Sequence, residues 1–230
     1  MFLATLVALS FGQAPTDQRS VYSRPDIHGN QVVFTCEGDL WLGDIIAQTA
    51  NRLTRHAGLE TNAKFSPDGK SLAFQAALDG KPEVYVMPVA GGAPTRLTAE
   101  AGNVKVLDWT QDGQSVLYAT TTSWDIDNDA VLKTVPATGG VAKKVAVPRG
   151  WFGTFLADGR LAYVPVSNEW ANWYRYKGGA ADQIWITDLR GGFRRLTRFE
   201  GVNTTPVAVG RDLYFVSEQP GVTNLAKLDP

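Results

Sequence analysis

Short apolar segments alternate with glycine-containing turns along most of the chain, and the alternation is periodic. Phe65-Ser66-Pro67-Asp68-Gly69-Lys70-Ser71-Leu72-Ala73-Phe74 recurs as Trp109-Thr110-Gln111-Asp112-Gly113-Gln114-Ser115-Val116-Leu117-Tyr118. A third copy is Phe155-Leu156-Ala157-Asp158-Gly159-Arg160-Leu161-Ala162-Tyr163, with looser copies around Gly29 and Gly210. The turn glycines at 29, 69, 113, 159 and 210 are spaced by 40, 44, 46 and 51 residues. A second marker runs in phase: Arg-Leu-Thr at 52–54, 96–98 and 195–197, with Lys144-Val145-Ala146 in the remaining slot. Two independent markers in phase define five repeats.

Each repeat reads as four short strands. In the second, residues 61–65 lead into the Asp-Gly turn, where glycine supplies the positive φ of a tight hairpin. Residues 71–76, 83–89 and 94–98 supply the other three strands. The third-strand signal returns at Asp39-Leu40-Trp41, Val131-Leu132-Lys133 and Gln183-Ile184-Trp185, and more weakly at Asn224-Leu225-Ala226. Four strands every 40–50 residues is the spacing of β-propeller blades, so the expected fold is all-β, with four-stranded antiparallel blades. The repeats span about 21–54, 61–98, 104–146, 151–197 and 203–230, the last ending after its third strand. Five blades of an expected six would leave an open, C-shaped arc with unpaired edges, prone to aggregate in isolation. On this reading the 230 residues are a fragment of a larger protein.

Composition narrows the function classes. Lys+Arg is 22 and Asp+Glu 23, a balance that argues against nucleic-acid or anionic-membrane binding, which calls for a basic excess. The single Cys36 excludes a disulfide framework or a Cys-rich zinc site, and reads as a small buried hydrophobe. Residues 2–11 form an apolar run followed by Gly12-Gln13-Ala14, which resembles a secretory signal peptide over 1–20 and predicts an exported, periplasmic or extracellular bacterial protein. The run is too short to span a bilayer.

Candidate chemistry is sparse. Asp125, Asp127 and Asp129 have an Asp-x-Asp-x-Asp spacing, but Ala130 and Pro136 stand where a calcium loop needs Gly and Glu. His28 and His56 are the only histidines and group with no serine and carboxylate; a turn-capping role suits His28. There is no nucleophile elbow, zinc-protease motif or phosphate loop, so no catalytic, cofactor or metal residue is assigned. Trp151-Phe152 and Arg194, Arg195 and Arg198 suit blade packing and a solvated strand face. Trp170, Trp173, Tyr174, Arg175 and Tyr176 form an aromatic insertion suited to contact with a peptide or partner, or to packing over its own blade edge.

The Asp-Gly hairpins match the propeller repeat of Tol-associated periplasmic proteins and several exported peptidases. Two segments are more specific. Arg24-Pro25-Asp26-Ile27-His28-Gly29-Asn30-Gln31-Val32-Val33-Phe34, with Cys36 and Asp39-Leu40-Trp41, resembles the opening of the tricorn protease propeller. Residues 169–179, leading into Gln183-Ile184-Trp185-Ile186, are similar to that family's Trp-x-x-Tyr-x-Gly-Gly segment and Ile-Trp-Ile strand. The resemblance covers about 22–230. It implies the N-terminal six-bladed propeller of a larger exported serine peptidase that gates or channels peptides, with a second propeller, a PDZ-like module and the catalytic core downstream, and a homo-oligomer at full length. The family's substrate-anchoring arginine pair before the third blade has only Lys105 as its counterpart here. The alternatives are a free-standing periplasmic Tol-type interaction propeller, and a calcium-dependent channel enzyme. The latter needs inner-strand acids, whereas Asn62-Ala63-Lys64 and Asn203-Thr204-Thr205 carry none.

Overall fold

A computed structural model describes residues 21–121, 130–167, 178–179, 181–198, 201–219 and 221–230. The described residues contain nineteen strands and no helix, in five antiparallel sheets. Blade 1 holds β1 (Tyr22–His28), β2 (Gln31–Cys36), β3 (Asp39–Asp44) and β4 (Thr49–Arg52). Blade 2 holds β5 (Glu60–Phe65), β6 (Ser71–Ala76), β7 (Glu83–Pro88) and β8 (Thr95–Arg96). Blade 3 holds β9 (Val104–Trp109), β10 (Ser115–Thr121), β11 (Ala130–Pro136) and β12 (Lys143–Lys144). Blade 4 holds β13 (Phe152–Phe155), β14 (Leu161–Val164), β15 (Trp185–Thr187) and β16 (Phe193–Arg195). Blade 5 holds β17 (Asn203–Val209), β18 (Asp212–Ser217) and β19 (Asn224–Leu228), and among the described residues has three strands.

Within each blade the strands lie in sequence order, as hairpin connections require. Gly69, Gly113 and Gly159 take φ of 70°, 66° and 84° in their Asp-Gly turns. The preceding aspartate closes each turn: Asp68, Asp112 and Asp158 accept the amides of Lys70, Gln114 and Arg160 at 3.0–3.1 Å. For Asp68 and Asp112, a hydroxyl from Ser66 or Thr110 completes the bonding. These donors hold the three carboxyls below the usual aspartate range.

Side chains leave a strand alternately to either face, and in the middle blades both faces are buried. On β6, Leu72, Phe74 and Ala76 pack toward blade 1, with Val33 and Leu40, while Ala73 packs toward blade 3, with Val106 and Trp109. On β10, Val116 and Tyr118 face blade 2, whereas Leu117 and Ala119 face blade 4, in a core that continues to Leu213 and Phe215 of blade 5. The core is therefore a series of layers between blades, and the inner strands read as continuous apolar runs.

The first strands pack side by side in the order β1, β5, β9, β13, β17, and β17 does not pack on β1 as each other neighbour does. Among the described residues the arc from β1 to β17 is not closed by packing of that kind, and its two flanks carry exposed apolar side chains, Tyr22 and Ile27 on β1 and Val207 and Val209 on β17. No helix among the described residues is long and apolar enough to cross a membrane.

Candidate functional site

The five first strands surround one cavity of about 300 Å³, and every blade contributes to its wall. Arg24 comes from β1, Asn62 and Lys64 from β5, Lys105 from β9, Phe152 from β13 and Thr205 from β17. Three of these residues share an unusual backbone. Arg24, Asn62 and Thr205 have φ of 52°, 52° and 53°, in the left-handed region. Each sits where its strand slips register against the second strand, between Ser23 and Asp26, Thr61 and Lys64, and Thr204 and Val207. A bulge inserts residues on one strand and re-aims the side chain there, in this case onto the cavity wall. For Thr205 and Arg24 the conformation is also strained, because a Cβ crowds the backbone at positive φ.

Below the bulges, one register position ties each first strand to the next. The Asp26 carboxylate accepts the Phe65 amide at 2.9 Å and the Lys64 ammonium at 2.8 Å. The Lys64 carbonyl accepts the Trp109 indole N–H at 2.9 Å. Asp108 accepts the Phe155 amide at 2.9 Å and the Thr154 hydroxyl at 2.8 Å. Thr154 Oγ1 then accepts the Ala208 amide at 3.3 Å. These four links fix the channel's walls relative to one another. Burial pushes the Asp108 carboxyl above the usual range, and the bonds from Thr154, Phe155 and Trp109 oppose this only in part.

The cavity wall is cationic. Arg24, Lys64 and Lys105 line it, and among the described residues that line it there is no aspartate or glutamate. Asp26 pairs with Lys64. Lys105 Nζ stands 3.9 Å from the centroid of the Phe152 ring, which holds the ammonium against the wall.

A second polar arrangement lies at the outer part of three blades. Arg52, Arg96 and Arg195 each donate through Nε to the carbonyl of the threonine two residues on, at 2.6–3.0 Å. Their Nη2 groups reach Asp39, Glu83 and Gln183 at the start of the third strand. The threonine hydroxyls accept the amides of Leu40, Val84 and Ile184. This is the work of the Arg-Leu-Thr marker, and the arrangement is structural. Glu83 is 1% exposed; burial raises its pKa, but bonds from Lys81, Thr98 and the Glu100 amide win and hold it below the ordinary value. Glu60, at the start of β5, is 0% exposed and goes the other way: burial lifts it, and Thr54 and His56 pull it back only partly.

The histidines differ from a catalytic pair. His28 does not cap its own turn: its Nε2 lies 3.2 Å from the Pro67 carbonyl, in the Asp-Gly turn of the next blade. His56 lies 4.0 Å from Glu60. Cys36 is buried, as a small apolar residue would be. Arg195 joins Gln183 rather than only solvent, and Phe152 serves the channel wall as well as the core. The aromatic insertion Trp170, Trp173, Tyr174, Arg175 and Tyr176, the Asp125–Asp127–Asp129 spacing and the segment 1–20 lie outside the described residues. Among the described residues, no group of three or more His, Cys, Asp or Glu is placed to hold a metal ion. Sequence reasoning missed the channel cluster: Arg24, Asn62 and Thr205 lie 5, 7 and 5 residues before the turn glycines at 29, 69 and 210, so no common spacing marks them.

Comparison with known proteins places this architecture. Tricorn protease homolog 1 of Streptomyces coelicolor is 35% identical over 204 residues, covering 86% of this chain and 19% of that protein. A Tricorn-like protease N-terminal subunit of Sulfurisphaera tokodaii is 26% identical over 177 residues, covering 75% of this chain and 89% of that one. The crystal structure of the tricorn protease superposes with a TM-score of 0.77 at 24% identity, over 91% of this chain and 21% of that one. The chain thus spans between 18% and 21% of the length of the long relatives it matches. Residues 19–230 match the family described as the tricorn protease N-terminal beta propeller domain, and the chain belongs to that family.

Proposed function

We propose that the chain is a peptide-guiding propeller of a tricorn-type serine peptidase, with the catalytic groups supplied outside residues 1–230. The observation that carries this reading is the single cavity walled by all five first strands and held at fixed width by the links through Asp26, Lys64, Asp108 and Thr154. A rigid passage of that kind suits the selection or conduction of extended chains. The family membership supports the association with a peptidase. The similarity to an N-terminal subunit of comparable length supports a propeller that works with catalytic parts elsewhere. On this reading the protein is exported by the apolar leader within residues 1–20, and at full length forms a homo-oligomer in which the propeller meets downstream domains.

The test is photo-cross-linking. An uncharged, unstructured peptide of about ten residues carrying a benzophenone side chain is irradiated with the protein, and adducts are mapped by mass spectrometry. Adducts on the channel wall or on residues 170–176, with the peptide otherwise intact, support the reading. Adducts confined to outer strands, or peptide hydrolysis that maps to a residue within 1–230, overturn it.

A further inference from the structure

We propose that Glu60 and Asp39 share a proton across the contact between blades 1 and 2, the Glu60 carboxyl donating to the Asp39 carboxylate. The contact holds while the proton is bound and loosens when rising pH removes it. Glu60 opens β5 of blade 2, yet its bonds run to blade 1. Its amide donates to the Gly38 carbonyl at 2.8 Å, its carbonyl accepts the Thr35 hydroxyl at 3.1 Å, and its Oε2 accepts the Thr54 hydroxyl. Its other oxygen, Oε1, is buried and has no hydrogen-bond partner among the described residues, and the same holds for Oδ1 of Asp39. Asp39 is near enough for its charge to act on Glu60. Buried acceptors without a donor are costly. One proton on Glu60 supplies a donor to Asp39 and removes a charge from a fully buried carboxyl.

Elsewhere in the repeat the same contact is made with a permanent donor. Asn203 opens β17 as Glu60 opens β5: each pairs with the last residue of its second strand, Ser217 or Ala76. Each also donates its amide to the carbonyl just ahead of the preceding blade's third-strand acceptor, at Asp182 before Gln183 or at Gly38 before Asp39. Asn203 Nδ2 donates to Gln183 Oε1 at 3.4 Å. Glu60 can play the part of that amide only as the neutral acid, because a carboxylate has no hydrogen to donate. The charge then rests on Asp39, which accepts Arg52 Nη2. Burial above all, and the Asp39 charge, favour the acid at Glu60, while Thr54, His56 and the Leu40 backbone oppose it. The charged and titratable groups facing the pair are thus Arg52 on β4 and His56 in the loop that follows. His56 Nε2 lies 4.0 Å from Glu60 Oε1, beyond hydrogen-bond reach. The far end of β5 is tied separately, through Asp26 to the Phe65 amide and Lys64. Glu60 pins the near end, two residues from the Asn62 bulge on the cavity wall. Loss of the proton sets two buried like charges against each other at that end alone. The inference stands on this contact and does not depend on the peptide-guiding role.

Carbon NMR of isotope-labelled glutamate carboxyls in the full 230-residue chain reads the proton, with the Glu60 signal assigned by its loss in Glu60→Gln. The expected Glu60 midpoint lies above that of free glutamate and falls in Asp39→Asn, which removes the like charge and adds an amide donor. Hydrogen exchange at the residue 60 amide, corrected for base catalysis, reads the contact. It should quicken about tenfold as pH rises through that midpoint in the parent, and stay level in Glu60→Gln, which carries its donor at every pH. Circular dichroism melting shows which variants are folded. Should Asp39→Asn not fold, the parent titration and the exchange of Glu60→Gln still decide the question. A Glu60 midpoint no higher than that of free glutamate, the result if both carboxylates are ionised around a bridging water, overturns the proposal. So does an unchanged midpoint in folded Asp39→Asn, or exchange that quickens equally in Glu60→Gln.

Discussion

Arg96 donates to the buried Glu83 carboxylate at 3.1 Å, and the pair occupies the same place in blade 2 as Arg52 with Asp39 in blade 1 and Arg195 with Gln183 in blade 4. Blade 3 lacks the acceptor and the hydroxyl of this arrangement together: Val131 and Ala146 stand at the positions of Glu83 and Thr98, and Lys144 at that of Arg96. The shared backbone bond, from Val145 to the Leu132 carbonyl at 2.9 Å in blade 3 and from Leu97 to the Val84 carbonyl at 2.8 Å in blade 2, fixes the equivalence. A buried polar network is stable when complete and costly when partial, so its members come and go together. Glu83→Ala alone should therefore destabilise the protein by about 3 kcal/mol, because Arg96 and Lys81 lose their counter-charge. The triple change Glu83→Val, Arg96→Lys and Thr98→Ala, which gives blade 2 the residues of blade 3, should cost less than that single change. Urea denaturation of the two variants measures the difference.

The two buried glutamates should respond to pH in opposite senses. Glu83 is held below its ordinary value of 4.5, so its contribution is present above that pH and is lost as pH falls through the lower folded value. Glu60 is raised above 4.5, so its contribution is full below 4.5 and is lost as pH rises through the folded value. Melting at pH 7 should show Glu60→Gln more stable than the parent and Glu83→Gln less stable. Both differences should shrink or reverse toward pH 4.

Strain at the channel bulges makes a third expectation. Thr205 holds φ of 53° with a β-branched side chain, while the equivalent bulge in blade 2 carries Asn62, a residue that tolerates this region. Thr205→Asn should raise stability by about 1 kcal/mol, read as a higher melting temperature. An unchanged or lower value would show that neighbouring contacts, not backbone strain, govern the position.

Asp108 bridges blades 3 and 4 through the Phe155 amide and the Thr154 hydroxyl. Asp108→Ala leaves a buried amide without its acceptor, at a cost of about 1–3 kcal/mol. Hydrogen exchange should speed up at the Phe155 amide in this variant, while the Phe65 amide, bound to Asp26, keeps its protection.

Close backbone approach explains two glycines whose φ is unremarkable. A Cβ at Gly58 would lie 2.3 Å from the Ala77 carbonyl oxygen, and one at Gly102 would lie 2.0 Å from that of Thr121. Both occupy the loop entering a first strand. Gly102→Ala should lower the melting temperature by several degrees. Gly139→Ala meets no atom, and its cost is limited to the strain of a positive φ.

The repeat was legible in the sequence because its markers are local. Asp-Gly pairs close hairpins through bonds to residues two positions away, so the turns, the strand order and the blade count follow from spacing. The Arg-Leu-Thr marker was legible as a pattern but not as a mechanism, since its partners Asp39, Glu83 and Gln183 lie 12 or 13 residues earlier across a strand pair. The channel was not legible at all. Arg24, Lys64 and Lys105 are separated by about forty residues each, and only the packing of β1, β5 and β9 brings them to one wall. The bulges that turn Arg24 and Thr205 inward depend on register against a second strand, which no single segment encodes. Sequence by itself determined the all-β repeat and its punctuation, which local turn chemistry specifies. Tertiary structure alone decided which side chains share the cavity and which carboxylates are buried, because convergence of distant strands is a property of blade packing.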